Sequence, residues 1–97
     1  MNQYIENNGV LECIFTGRMD TVTSQTIDIK LKALLKPEIK EIIFNLSEVE
    51  YLSSSFLRLC ISSLRHTGKE NFHVTNVTPT ALMVFQIAGM TELLQIS

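Results

Sequence analysis

An α/β fold is the class this sequence predicts: an N-terminal β-hairpin, then alternating helices and strands that build a mixed sheet of roughly four to five strands with helices packed against it. Three observations carry that expectation. Glu6-Asn7-Asn8-Gly9 stands between two β-prone runs, and Asn-Gly there is the strongest short hairpin signal, because both residues tolerate positive φ. Segments with helical apolar spacing then alternate with short apolar runs of strand type. Finally, the predicted helices open on Asp, Ser or Thr, the residues whose side chains satisfy free backbone N–H groups at a helix start.

The hairpin strands are Tyr4-Ile5 and Val10 to Phe15. Leu11, Cys13 and Phe15 share one face of the second strand, with Glu12 and Ile14 on the other. Gly17-Arg18-Met19-Asp20 leaves the strand, and Asp20 caps a first helix over Thr21 to Leu35. Ile27, Leu31, Leu34 and Leu35 follow the spacing of a buried stripe. Asp28 and Lys32 can pair across one turn, worth about 0.3–0.5 kcal/mol, and Pro37 ends the helix by disfavouring helical geometry at Lys36. Glu41-Ile42-Ile43-Phe44 is apolar on both faces after Glu41, as befits a central strand that is covered on both sides or has parallel neighbours.

After that strand, Glu48 to Leu52 reads as a loop, and Ser53-Ser54-Ser55 opens a second helix. Leu57, Cys60, Ile61 and Leu64 form its core stripe, Gly68 its stop, and His66 lies in the last turn, where a cation suits the helix dipole. Phe72 and Val74 alternate with His73 and Thr75 in a further strand. Thr78-Pro79 starts a third helix, since Pro at the first helical position needs no N–H partner. Leu82, Phe85, Ile87 and Ala88 are read as its core side, Gly89 as its end, and Thr91 to Leu94 as a last turn.

Composition narrows the function. The 97 residues are expected to form one domain, 1–97, and at 45% apolar and 19% charged they are globular in type. The mean hydropathy of +0.19 is high for so small a chain and suggests apolar side chains left for a partner. A formal charge of −2, with eight Lys and Arg scattered along the chain, argues against nucleic-acid binding. No apolar run approaches the ~20 residues that span a bilayer, and the first residues lack a secretory pattern. A cytoplasmic protein without direct membrane insertion is the expectation. Cys13 and Cys60 form no CxxC pair and read as small buried hydrophobes.

Catalytic signatures are absent from the sequence. His66 and His73 have no Cys, Asp or His at metal-ligand spacing, and there is no GxSxG, GxGxxG or Walker sequence. Glu48 and Glu50 stand without a second polar cluster to complete an acid–base pair. Neither enzymatic activity, a metal nor a cofactor is expected. The three serines remain: caps in the ordinary reading, a phosphoacceptor in the functional one. The residues alone leave both open.

With these residues in hand, the chain resembles the STAS family in its anti-sigma-factor-antagonist branch. That family carries a strand ending in Asp-Leu-Ser, a Gly-Val-x-Phe link and Asp-Ser-Ser-Gly-Leu at a helix start. Here Asn45-Leu46-Ser47, Glu48-Val49-Glu50-Tyr51-Leu52 and Ser53-Ser54-Ser55-Phe56-Leu57 occupy those places. Gly9-Val10-Leu11, Thr16-Gly17-Arg18-Met19-Asp20, Asn76-Val77-Thr78-Pro79 and Gly89-Met90 extend the resemblance over nearly the whole chain. Ser53 replaces the family's Asp, Phe56 its Gly, and Asn45 the strand-end Asp.

The resemblance implies a non-catalytic regulator that binds an anti-sigma factor with serine kinase activity and is released when a serine is phosphorylated. By position Ser54 is the phosphoacceptor, with Ser53, Ser55, Phe56, Arg58 and Leu59 as partner contacts. Phe56 and Leu59 lie off the predicted core stripe and are read as exposed anchors or as packing under a loop. The alternative is a stand-alone scaffold subunit of a larger assembly, such as a lipid-transporting ABC system, with no phosphorylation. Nucleotide binding, known in some family members, finds no glycine-rich phosphate loop here. A homodimer is compatible with either reading.

Overall fold

The structure, a computed structural model, describes residues 1–97. Its first two strands, β1 (Gln3–Asn7) and β2 (Val10–Met19), form the predicted hairpin. The connecting residues have φ of +52° at Asn8 and +81° at Gly9, the double positive φ that matches hairpin twist. Helix α1 (Thr21–Leu34) follows, then β3 (Glu41–Leu52), α2 (Ser54–Thr67), a single 3₁₀ turn (Lys69–Asn71), β4 (Phe72–Thr75), α3 (Pro79–Ile87) and β5 (Gln95–Ile96). The five strands lie in sequence order in one sheet, with β1 antiparallel to β2 and every other neighbouring pair parallel. Each parallel neighbour is reached through a helix, as parallel pairing requires.

One face of this sheet makes the core. Leu11, Cys13 and Phe15 of β2, Ile42, Phe44 and Leu46 of β3, and Phe72 and Val74 of β4 are all buried. Phe15 meets Phe44 edge-on at 4.9 Å between centroids, and Phe44 meets Phe72 at 5.0 Å, geometry that suits the ring quadrupoles. The opposite face carries Val10, Glu12, Ile14, Ile43, His73 and Thr75, which are only half-buried. β3 therefore has parallel neighbours on both sides but full cover on one face alone. On the half-covered face His73 Nε2 lies 2.9 Å from a Glu41 carboxylate oxygen, a pairing that sequence spacing does not reveal.

The caps follow their residue types. Asp20 accepts a hydrogen bond from the Thr23 N–H at 2.9 Å, and that bond holds its carboxyl below the usual carboxylate range. Thr78 accepts from the Ala81 N–H at 3.2 Å, with Pro79 as the first helical residue. Asp28 pairs with Lys32 at 3.0 Å. Gly68 ends α2 at a φ of +87°. Both cysteines are free and buried; burial pushes the Cys13 thiol up to about 12 and raises that of Cys60 as well. Thiolate chemistry is thereby suppressed.

Four expectations are corrected. β2 continues past Phe15 to Met19, and Glu48 to Leu52 is strand rather than loop. The register explains why: Ile14 pairs with Asn45 but Thr16 with Glu48, and Gly17 pairs with Val49 but Arg18 with Tyr51. At each step β3 advances one residue more than β2, which is a bulge. Burial then falls on Leu46, Val49 and Leu52 instead of alternating. The core stripe of α2 is rotated, with Phe56, Leu59, Cys60 and Ser63 buried while Leu57, Ile61 and Leu64 are only partly so. Helix α3 buries Ala81 and Phe85, whereas Leu82, Ile87 and Ala88 are exposed. Its almost uniformly apolar sequence offers no polar stripe from which to read a phase. The turn expected at Thr91 to Leu94 is present, and β5 follows it to pair with β4 as the fifth strand.

Candidate functional site

The parallel strands place the starts of α1 and α2 side by side at the C-terminal ends of β2 and β3. Met19 ends β2 and Asp20 caps α1; Leu52 ends β3 and Ser53 caps α2. A backbone hydrogen bond from Ser53 N–H to Met19 C=O, 2.9 Å long, ties the two junctions together. Crevices at the carboxyl ends of parallel strands are where α/β folds present loops and helix N-termini to ligands.

Within that junction the three serines have different roles. Ser53 is buried, with extended backbone at φ −93° and ψ 167°, and its Oγ accepts the Phe56 N–H at 3.2 Å. Its hydroxyl also lies 3.5 Å from that of Ser24, a buried residue of α1. Ser53 is thus the cap, enclosed between two helices. Ser54 is the first residue of α2 and is exposed, and no hydrogen bond within the chain engages its hydroxyl. Ser55 is half-buried and turns toward α1. Replacing Ser53 by Ala should lower stability by about 1 kcal/mol through loss of the cap, measured by urea denaturation. Ser54→Ala should leave stability within about 0.5 kcal/mol, as exposed substitutions do.

The remaining predicted contacts divide as well. Ser55, Arg58 and Leu59 line a cleft of about 160 Å³ between the two helices, with Ser24, Gln25 and Asp28 on the α1 side. Arg58 is exposed and one turn beyond Ser54, so the two side chains are neighbours on the helix surface. Leu59 is 4% exposed and Phe56 wholly buried. Neither is the exposed anchor that the sequence allowed. Phe56 packs edge-on against Phe15 at 5.4 Å and at a tilt against Phe44 at 5.9 Å, facing the sheet from the first turn of α2.

Two neighbours of the site escaped sequence reasoning. Ser24 precedes Ile27 and Leu31 at helical spacing, so extending the α1 stripe backward by one turn would have found it. Arg18 lies with its guanidinium 4.5 Å from the centre of the Tyr51 ring, a cation–π contact between paired residues of β2 and β3. That pairing depends on the bulged register and had no sequence signal. The site therefore presents a free hydroxyl at the positive end of a helix, flanked by Arg58, with Arg18 on the strand junction beneath. No three His, Cys, Asp or Glu side chains come together as a metal site, and no helix is long and apolar enough to cross a membrane.

A family model described as "STAS domain" matches residues 3–97. No curated protein matches the chain. Among solved structures, the anti-sigma factor antagonist SpoIIAA in its unphosphorylated form aligns with a TM-score of 0.84 at 19% identity, covering 100% of this chain and 88% of that one. An anti-sigma factor antagonist from Mycobacterium paratuberculosis aligns with a TM-score of 0.85 at 22% identity, covering 99% of this chain and 83% of the other. The phosphorylated form of the Bacillus cell fate determinant SpoIIAA aligns with a TM-score of 0.76 at 19% identity, over 100% of this chain and 91% of that one. Identities this low establish the shared α/β architecture and nothing finer.

Proposed function

The chain belongs to the STAS domain family, and from that premise we propose that it acts as an anti-sigma-factor-antagonist-type regulator, docking on an anti-sigma factor with serine kinase activity and released by phosphorylation of Ser54. The observation that supports this reading is the division among the serines: Ser53 is enclosed as a cap, while Ser54 stands exposed at the first turn of α2. A kinase reaches Ser54 without disturbing the cap. The neighbouring structures named for unphosphorylated and phosphorylated SpoIIAA share this architecture.

The departures from the family pattern fit the same reading. A serine caps a helix about as well as the aspartate it replaces. Phe56 fills the core instead of the docking face, so its ring does not obstruct a partner. Phosphoserine at position 54 would carry about −1.5 to −2 charges at neutral pH. The helix end and Arg58 accommodate that anion, so the regulator stays folded while a partner pressed against it must desolvate an added charge.

The test uses the chain and the kinase partner isolated with it, supplied with ATP. Phosphate should enter the wild type and the Ser53→Ala variant but not Ser54→Ala. Ser54→Asp should bind the partner about tenfold or more weakly with its unfolding midpoint nearly unchanged, since a shift of this size needs only about 1.4 kcal/mol. Phosphate uptake by Ser54→Ala, or equal partner affinity of Ser54→Asp and wild type, would sink the proposal. Recovery of the chain with a membrane ATPase and no phosphate uptake would favour the scaffold role instead.

A further inference from the structure

The edge of the sheet at β1 is unguarded. Its five residues contain no proline, no bulge and one charge, Glu6, and no element lies beyond them in the sheet. Edge strands usually carry such devices because their outward N–H and C=O groups template further pairing. Here the register identifies those groups. Asn7 and Val10 close a two-residue hairpin, and residues that close such a loop exchange both their backbone hydrogen bonds. By alternation Gln3, Ile5 and Asn7 direct their backbone groups to β2, while Tyr4 and Glu6 direct theirs outward.

Side chains along this edge are self-complementary. Tyr4 lies on the helix-covered face, edge-on to Phe15 at 6.2 Å, and the Lys30 ammonium of α1 is 5.7 Å from the centre of its ring. Lys30 has no carboxylate partner, whereas Lys32 is paired with Asp28. Glu6 shares the face of Tyr4 and is exposed. Ile5, on the opposite face, is 48% exposed.

We infer that β1 pairs antiparallel with β1 of a second copy of this chain about a two-fold axis at Ile5, placing Glu6 of each copy beside Tyr4 and Lys30 of the other. Three registers align the outward-facing groups. One sets Glu6 opposite Glu6, a like-charge pair. One sets Tyr4 opposite Tyr4 and leaves Asn7 unpaired. The register centred on Ile5 pairs all five residues: Gln3 with Asn7, Tyr4 with Glu6, and Ile5 with its own copy. Directly opposite residues of an antiparallel pair share a face. Glu6 therefore arrives on the helix-covered side, where Lys30 already lies over Tyr4, and symmetry makes the ion pair twice. The two five-stranded sheets become one continuous sheet of ten. An interface of two short strands and their flanking side chains is small, so the dimer should be weak and concentration-dependent.

Sedimentation equilibrium over a concentration series tests this. Wild type should show a monomer–dimer equilibrium. Glu6→Lys and Lys30→Glu should each weaken it about tenfold or more, because two attractive pairs become repulsive. The combined Glu6→Lys, Lys30→Glu variant should restore it. Glu6→Pro, which deletes an outward N–H without touching the bonds to β2, should abolish it while the circular dichroism spectrum persists. A chain that is monomeric throughout, its edge left to another protein or to none, would overturn the inference. So would a dimer indifferent to all four variants.

Discussion

Phe56→Ala should destabilise the protein by about 3–5 kcal/mol, the usual loss for a fully buried phenylalanine. Phe56 is wholly inaccessible and has Phe15 and Phe44 within 5.4 and 5.9 Å, so its removal leaves a void where three elements meet. A chain of this length has roughly 5–15 kcal/mol in total, and a loss of about 3–5 kcal/mol takes a substantial share of it. Phe56→Leu, which keeps most of the volume, should lose far less. Urea denaturation separates the two. If Phe56→Ala cost less than about 1 kcal/mol, the ring would not be packed as described and an interface role would return. The prediction therefore distinguishes a core residue from a docking residue at a position where the sequence allowed both.

The second large effect belongs to Gly9→Ala, expected to cost about 2 kcal/mol or more. Gly9 has a φ of +81°, and a Cβ built there would lie 2.9 Å from the Glu38 carbonyl oxygen. Relief by movement is blocked, because the Gly9 carbonyl accepts from the Lys40 and Glu41 N–H groups at 2.8 and 3.2 Å, where β3 begins. Gly68→Ala is the matched control: its φ of +87° is similar, but nothing lies within 4 Å of the added atom. Its cost should be the conformational part alone. Equal urea midpoints for the two variants would show that the contact with Glu38 carries no weight.

Where one pattern dominated, the sequence was a reliable guide. Asn8-Gly9, Asp20, Thr78-Pro79 and Gly68 each have a local physical reason to stand where they do, and each was found there. The alternation of Leu11, Cys13 and Phe15 named the core face of β2 correctly. Failures came where two periods compete. Bulges break the period of two between Asn45 and Leu52, so a strand looked like a loop and the phase of α2 was misjudged by one residue. Helix α3 failed for want of contrast, as Leu82, Met83 and Ile87 look like core residues and are exposed. At the candidate site Ser54 and Arg58 are exposed and Ser55 lines the cleft between the helices. Ser24 and the Arg18–Tyr51 contact depend on how elements meet in space, and no window of sequence contains that information.

The two extra residues of β3 have a consequence for how this architecture tolerates change. Strands β2 and β3 run in step for their first half, then keep different counts over the same distance, as a vernier slides against its scale. What is read at the end of that scale is an angle: which of three consecutive serines faces inward when the helix begins. Substitutions at the exposed Ser47, Glu48 and Glu50 alter chemistry and leave the reading alone, whereas a change of length by one residue would turn it. The identity of the exposed hydroxyl is therefore written in the spacing of the strand before it as much as in the serines themselves.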